Sequence, residues 1–169
     1  MQSNLYVYSK PWKGVQMSDE YRLISIPDTR FYHCNIKTLN LIPNVMAAQK
    51  ASEAGCNETE FVRDGYVTEC SHSNISMVKD GVFITHPLDN LILPGTERKH
   101  IIRWCSELGI PVEERAFTLE ELYTADEILV TSTSHPSMRA MELNQKSVGM
   151  KNPELIQKLR EKYLSEIGK

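Results

Sequence analysis

The chain has 169 residues, 41% hydrophobic and 24% charged, with a formal net charge of −3, so one domain burying roughly 70% of its unfolded surface is expected. That balance offers no basic face for nucleic acid, and no apolar run approaches the roughly 20 residues a membrane span needs. The N-terminus MQSNLYVYSKPWKG lacks the basic and apolar segments of a secretory leader, which makes the cytoplasm the default.

Extended and helical segments alternate without repeats, which predicts a mixed α+β fold. YVYSKPWKG (6–14) reads as a short strand, MSDE (17–20) as a polar connector, and YRLISIP places a strand over Tyr21 to Ile26. In FYHCNIK, alternation puts Tyr32, Cys34 and Ile36 on one face and His33, Asn35 and Lys37 on the other, so Lys37 is expected to end a strand on its polar side. Asn40 as N-cap, Pro43 in the first turn, the helical spacing of Leu41, Val45 and Ala48, and a stop at Gly55 predict a helix over about 41–54.

Asp64-Gly65 and Asp80-Gly81 each separate two short apolar segments and predict type I′ hairpins, hence antiparallel pairing. Thr96 is read as the cap of a helix carrying Ile101, Ile102, Cys105 and Leu108, ended by Gly109 and Pro111. Thr118 and Glu121 have capping-box spacing over a short helix, and Glu127 to Thr131 is an apolar strand. Asn152-Pro153 opens a last helix with Leu155, Ile156, Leu159, Tyr163 and Ile167. Cys34, Cys56, Cys70, Cys105 and the histidines are scattered without ligand spacing, so reduced thiols and no metal site are expected.

Three segments carry the candidate chemistry. In CNIKTLNLIPNVMAAQKASEAG (34–55), a lysine is followed by Thr, Leu and Asn ahead of a helix; GYVTECSHSNISMVKDGVFITHPLDNLILPG (65–95) and DEILVTSTS (126–134) follow. With the strand before them they resemble, over about residues 21 to 145, the fold-type IV pyridoxal-phosphate aminotransferases. The wording THPLDNLILPG favours the D-amino acid branch. The resemblance implies, over 21–169, the C-terminal pseudo-barrel domain of the D-amino acid aminotransferase-like enzymes. Residues 1–20 are then a connector remnant, and the family's N-terminal domain is expected to be absent from this chain.

By that resemblance Lys37 falls on the lysine that binds pyridoxal 5′-phosphate, Glu69 on the carboxylate facing the pyridine nitrogen, and Thr133 on a hydroxyl that contacts the phosphate. Asn74 matches the family behind the glutamate, and Leu93 lies near the implied pocket. LPGTERKHI supplies a helix N-terminus, where free N–H groups and the helix dipole favour a phosphate. The family pattern there runs glycine, aliphatic, threonine, arginine, so Thr96 takes the aliphatic position and Glu97 that of the phosphate-binding threonine. A carboxylate within about 4 Å of a dianion would cost on the order of several kcal/mol unless its side chain turns away. Cys70 and His72 stand where relatives carry glycine and serine.

The chemistry requires these groups together. Pyridoxal phosphate needs an amine that binds it covalently and then moves a proton, and a carboxylate beside the ring nitrogen keeps that nitrogen protonated. The expected function is that of an aminotransferase domain, exchanging an amino group between a D-amino acid such as D-alanine and a 2-oxo acid. A homo-oligomer or a complementing N-terminal domain is the expected partner, because loss of a domain exposes apolar surface. Within the fold, a branched-chain aminotransferase or an aminodeoxychorismate lyase shares the lysine and glutamate. From a different class, a non-catalytic remnant or a split-enzyme half acting as an interaction module fits the missing domain and Glu97.

Overall fold

The computed structural model describes residues 5–9, 11 and 17–166. In chain order its elements are β1 (Met17–Pro27), α1 (Ile42–Glu53), β2 (Glu58–Arg63), β3 (Tyr66–Cys70), β4 (Asn74–Lys79), β5 (Val82–Thr85), α2 (Thr96–Glu107), β6 (Val112–Glu114), β7 (Phe117–Thr118), α3 (Leu119–Thr124), β8 (Glu127–Ser132), β9 (His135–Leu143), β10 (Lys146–Ser147) and α4 (Pro153–Glu166). The strands form one sheet ordered β6-β5-β4-β8-β9-β1-β2-β3-β7, with β10 on β9. Its two end strands, β6 and β7, are separated by only Arg115 and Ala116, so the sheet has to curl until its edges nearly meet. The result is the expected mixed α+β pseudo-barrel.

Strand alternation builds two cores from one sheet. Ile128, Val130, Met77 and Ile84 point into the curl, where they meet Leu23, Val67, Phe117, Leu122 and Leu143. Their neighbours Leu129, Val78 and Phe83 point outward, against Ile101, Trp104 and Cys105 of α2 and Leu155, Ile156, Leu159 and Tyr163 of α4. Being covered on both faces, the centre of β8 reads in sequence as three consecutive apolar residues, Ile128 to Val130.

Local signals appear where expected. Asp64 and Gly65 (φ 51° and 84°), like Asp80 and Gly81 (φ 49° and 78°), take the positive angles a type I′ turn demands. The Thr118–Glu121 capping box is complete, and Asn152 Oδ1 accepts from the Leu155 N–H to start α4. Four expectations need correcting. MSDE belongs to β1, where Met17 and Ser18 pair with β9. FYHCNIK is an irregular loop and not a strand: the Cys34 N–H donates to the Asn90 carbonyl, so this backbone finds its partners in another loop rather than in the sheet. Leu41 and Gly95, not Asn40 and Thr96, occupy the helix N-caps, neither with a side-chain bond. In α1 the small Ala47 and Ala51 face the sheet, while Leu41, Ile42, Val45 and Met46 face outward. The strand expected over 6–14 lies partly outside the described residues, and 5–9 carry no regular structure; Ile167 also lies outside them.

Parallel pairing of β1 with β2 sets Ser25 opposite Glu60, a carboxyl with no exposed surface. The Ser25 hydroxyl donates to Glu60 Oε1 at 2.7 Å and accepts from Asn144, whose amide also reaches the Tyr123 hydroxyl. Burial pushes the Glu60 carboxyl up to about 8, against the opposing hydrogen bond from Ser25. A raised acid stays protonated in the fold while the unfolded chain ionises, so stability falls as pH rises from about 4.5 to about 8. Glu60→Gln should flatten that slope and raise the melting temperature at the alkaline end. A variant whose melting profile runs parallel to the wild type across this window would contradict the assignment.

Candidate active site

A bulge in β3 aims its most important side chain. The register runs from Val62 opposite Val67 to Glu60 opposite Cys70, which inserts one extra residue into β3. Val67 and Cys70 therefore both enter the inner core, and Glu69 is turned away from it toward the segment after β1. There Arg30 Nη1 lies 2.5 Å from Glu69 Oε1, while Oε2 accepts from Asn74 Nδ2 at 3.2 Å and from the Leu93 N–H at 2.9 Å. Asn74 also donates to the Leu93 carbonyl at 2.9 Å, so Glu69, Asn74 and Leu93 are brought together as one unit.

Burial pushes the Glu69 carboxyl up to about 7, and Arg30 and the Leu93 N–H pull against that rise. Asp28 grips Arg30 at Nε and Nη2 and pairs with Arg63 at 3.0 Å. Burial alone would raise Asp28, but the bonds and charges of Arg30 and Arg63 hold it below the usual carboxylate range. Sequence reading missed Asp28 and Arg30. The only local trace was a charged pair just beyond a strand, in PDTR.

Helix α2 starts beside this unit. A Cβ added to Gly95 would stand 2.0 Å from Asn74 Oδ1, so the glycine is required by close approach rather than by its angles. Gly95→Ala should displace the Asn74 amide from Glu69 and cost about 1–3 kcal/mol. Thermal denaturation checks this, and an unchanged melting temperature would mean that the side chain moves aside freely.

The Gly95 carbonyl accepts from the Lys99 N–H, leaving the N–H groups of Thr96, Glu97 and Arg98 without acceptors in the helix. Glu97 is buried, and it shares a helical face with Ile101 and Trp104. That face packs on Leu155, Ile156, Leu159 and Tyr163 of α4, and the Glu97 carboxyl adds to the rise that burial imposes on the Tyr163 hydroxyl. Asn74 pairs with Thr131 at the end of β8, so the β8–β9 turn holding Thr133 lies at the same end of the sheet, with Thr133 exposed.

Lys37 is exposed in the 28–41 loop, with no ion pair or hydrogen bond to its amine among the described residues. Arg30 to Glu69, the Cys34 N–H to the Asn90 carbonyl at 3.0 Å and Asn90 Nδ2 to the Tyr32 carbonyl at 3.0 Å pin its loop around the Glu69 end of the sheet, and Asn44 Nδ2 at the start of α1 donates to the Ser71 carbonyl at 2.7 Å. His72 and Cys70 flank Ser71; the His72 ring and N–H both meet Glu58, and Cys70 is buried in the core. Two open concavities lie elsewhere, about 560 Å³ between β9 and α4 and about 640 Å³ beside β10, and neither is lined by Lys37 or Glu69. Among the described residues no group of three or more His, Cys, Asp or Glu side chains could hold a metal, and no helix is long and apolar enough to cross a membrane.

The curled sheet with α2 and α4 on its outer face is the fold of the fold-type IV aminotransferases. A branched-chain amino acid aminotransferase from T.th., complexed with 4-methylvaleric acid, superposes with a TM-score of 0.78 at 28% identity, over 91% of this chain and 53% of that one. A putative 4-amino-4-deoxychorismate lyase from Legionella pneumophila shares the fold at a TM-score of 0.79 and 24% identity, covering 92% and 57%. Residues 2–143 match the amino-transferase class IV family, and the chain belongs to that family. It is 39% identical over 151 residues to a D-alanine aminotransferase of Bacillus licheniformis, covering 86% of this chain and 53% of that protein. A D-alanine aminotransferase of Listeria monocytogenes serotype 4b is 47% identical over 112 residues, covering 66% and 39%. The chain thus spans about half the length, or less, of the relatives it matches.

Proposed function

We propose that this chain is the cofactor-bearing domain, over 21–169, of an aminotransferase that exchanges an amino group between a D-amino acid, D-alanine foremost, and a 2-oxo acid. The observation that carries the reading is Glu69: a buried carboxylate loaded with three donors, next to the loop that presents a lysine with no partner among the described residues. Two carboxylate oxygens offer about four acceptor sites. One is therefore left on Oε1 for a ring N–H, and this donor set suits pyridoxal 5′-phosphate. Bound there, the cofactor supplies an electron-accepting ring. Lys37 is assigned the covalent hold and the proton transfer, Glu69 the ring nitrogen, and Asn74 and Leu93 the anchoring of Glu69.

Thr133 and the open N–H groups at Thr96 and Glu97 are assigned to the phosphate. Because Glu97 shares the helix face that packs on α4, its departure from the family's threonine is compatible with an anion at the backbone. The test is incubation of the full chain with pyridoxal phosphate, borohydride fixation and peptide mapping, followed by D-alanine with 2-oxoglutarate. Label on Lys37 and repeated pyruvate release are expected; label scattered over surface lysines would reject the site.

A second reading has its own support. Phe31, Tyr32, Ile36, Leu39, Ile42 and Val45 form an outward apolar surface around the Lys37 loop, with Leu39 96% exposed. That surface suits an interaction module or one half of a two-part enzyme, which associates with itself or with a complementing domain. Lys37 labelling without pyruvate release, from a chain that sediments as more than a monomer, would favour this reading.

A further inference from the structure

Resting on the assignment of Glu69 above, we propose that Arg30, braced by Asp28, is a positioning residue for Glu69: it fixes the carboxylate in place and keeps its charge available to a cation opposite. Arg30 has little freedom to do otherwise. Its Nε and Nη2 donate to the two Asp28 oxygens at 2.9 and 2.8 Å, and Nη2 also reaches the Leu91 carbonyl at 3.1 Å. Its guanidinium lies 4.3 Å from the centre of the Phe61 ring. With Nη1 on Glu69 Oε1, and Asn74 and Leu93 on Oε2, neither the arginine nor the carboxylate can rotate without breaking several bonds.

The charge argument has a sign that packing alone does not. A carboxyl 6% exposed takes up a proton unless a cation stands beside it, and a protonated Glu69 could not stabilise a protonated ring nitrogen. The groups acting on Glu69 are Arg30 and Asp28 from the segment after β1, Asn74 from β4, the Leu93 N–H before α2, and Arg63 from β2 through Asp28; the Cys34 and Cys70 thiols in turn feel the Glu69 charge, which pushes both up. Arg30 favours the ionised form and Asp28 opposes it, in keeping with the directions found at Glu69. Removing one or the other should therefore shift Glu69 in opposite directions.

The decisive measurement is a carbon-13 NMR titration of the cofactor-free full chain labelled at glutamate carboxyls, with the Glu69 signal identified by its loss in Glu69→Gln. Arg30→Met should raise the Glu69 titration point by about one pH unit or more, Arg30→Lys should raise it less, and Asp28→Asn should lower it. Arg30→Lys and Asp28→Asn decide the matter if Arg30→Met does not fold. Equal shifts in one direction, or none, would reduce Arg30 to packing and overturn the proposal. Borohydride labelling of the wild type separates the two claims: no label at Lys37 sinks the cofactor assignment, while the titration still judges Arg30.

Discussion

Replacing Lys37 with alanine is expected to abolish borohydride-fixed cofactor and to lower any transamination rate by at least about 10²–10⁴, with the melting temperature unchanged. The two expectations separate because Lys37 is exposed and unpaired among the described residues, so its removal breaks no contact that holds the fold. Surface substitutions of that kind stay within about 0.5 kcal/mol. Lys37→Arg should behave like the alanine variant in chemistry, since a guanidinium keeps its charge but is neither a nucleophilic amine nor a base near neutral pH. A large drop in melting temperature would show that Lys37 has a structural partner, and retained labelling would move the covalent site to another lysine.

The largest stability effect is expected at Glu127. This residue has no exposed surface, and its carboxylate holds Arg139 at two points, 3.0 Å to Nε and 2.8 Å to Nη2. It also accepts from the Asn152 N–H at 2.5 Å, and Asn152 in turn caps α4. Glu127→Gln removes a carboxylate charge that faces a buried guanidinium at two points and loosens the start of the helix that covers the outer core. Breaking a buried pair of this kind costs about 3–5 kcal/mol, which for a chain of this size corresponds to roughly 6–20 °C in melting temperature. A single variant that melts with the wild type would mean that the other contacts of Arg139, or water, make up for the lost carboxylate.

At Glu97 the direction of the side chain matters as much as its identity. Under the proposed reading, the GTER segment puts Glu97 where the family pattern has a phosphate-binding threonine, and its charge would oppose an anion there. Position 97 lies one and two helical turns before Ile101 and Trp104, which face the outer core, so its side chain is carried toward α4 while its N–H still belongs to the open end of α2. Backbone and side chain of one residue therefore serve different surroundings.

What could be read without coordinates was whatever depends on a few adjacent dihedral angles. The two Asp-Gly turns, the Thr118 capping box, a helix expected over about 41–54 and found over Ile42–Glu53, and the β8 strand each carry their cause within a handful of residues. Tertiary structure alone decided the parts that join distant segments. The pairing of β1 with β9, the extra residue in β3 that turns Glu69, the contact of Arg30 with a carboxylate 39 residues away, and the outward face of α1 all depend on which surfaces meet. FYHCNIK alternates like a strand yet becomes a loop, because its backbone partner is Asn90 rather than a neighbouring strand. Periodicity states which side chains share a face; only the assembled fold states what that face is pressed against.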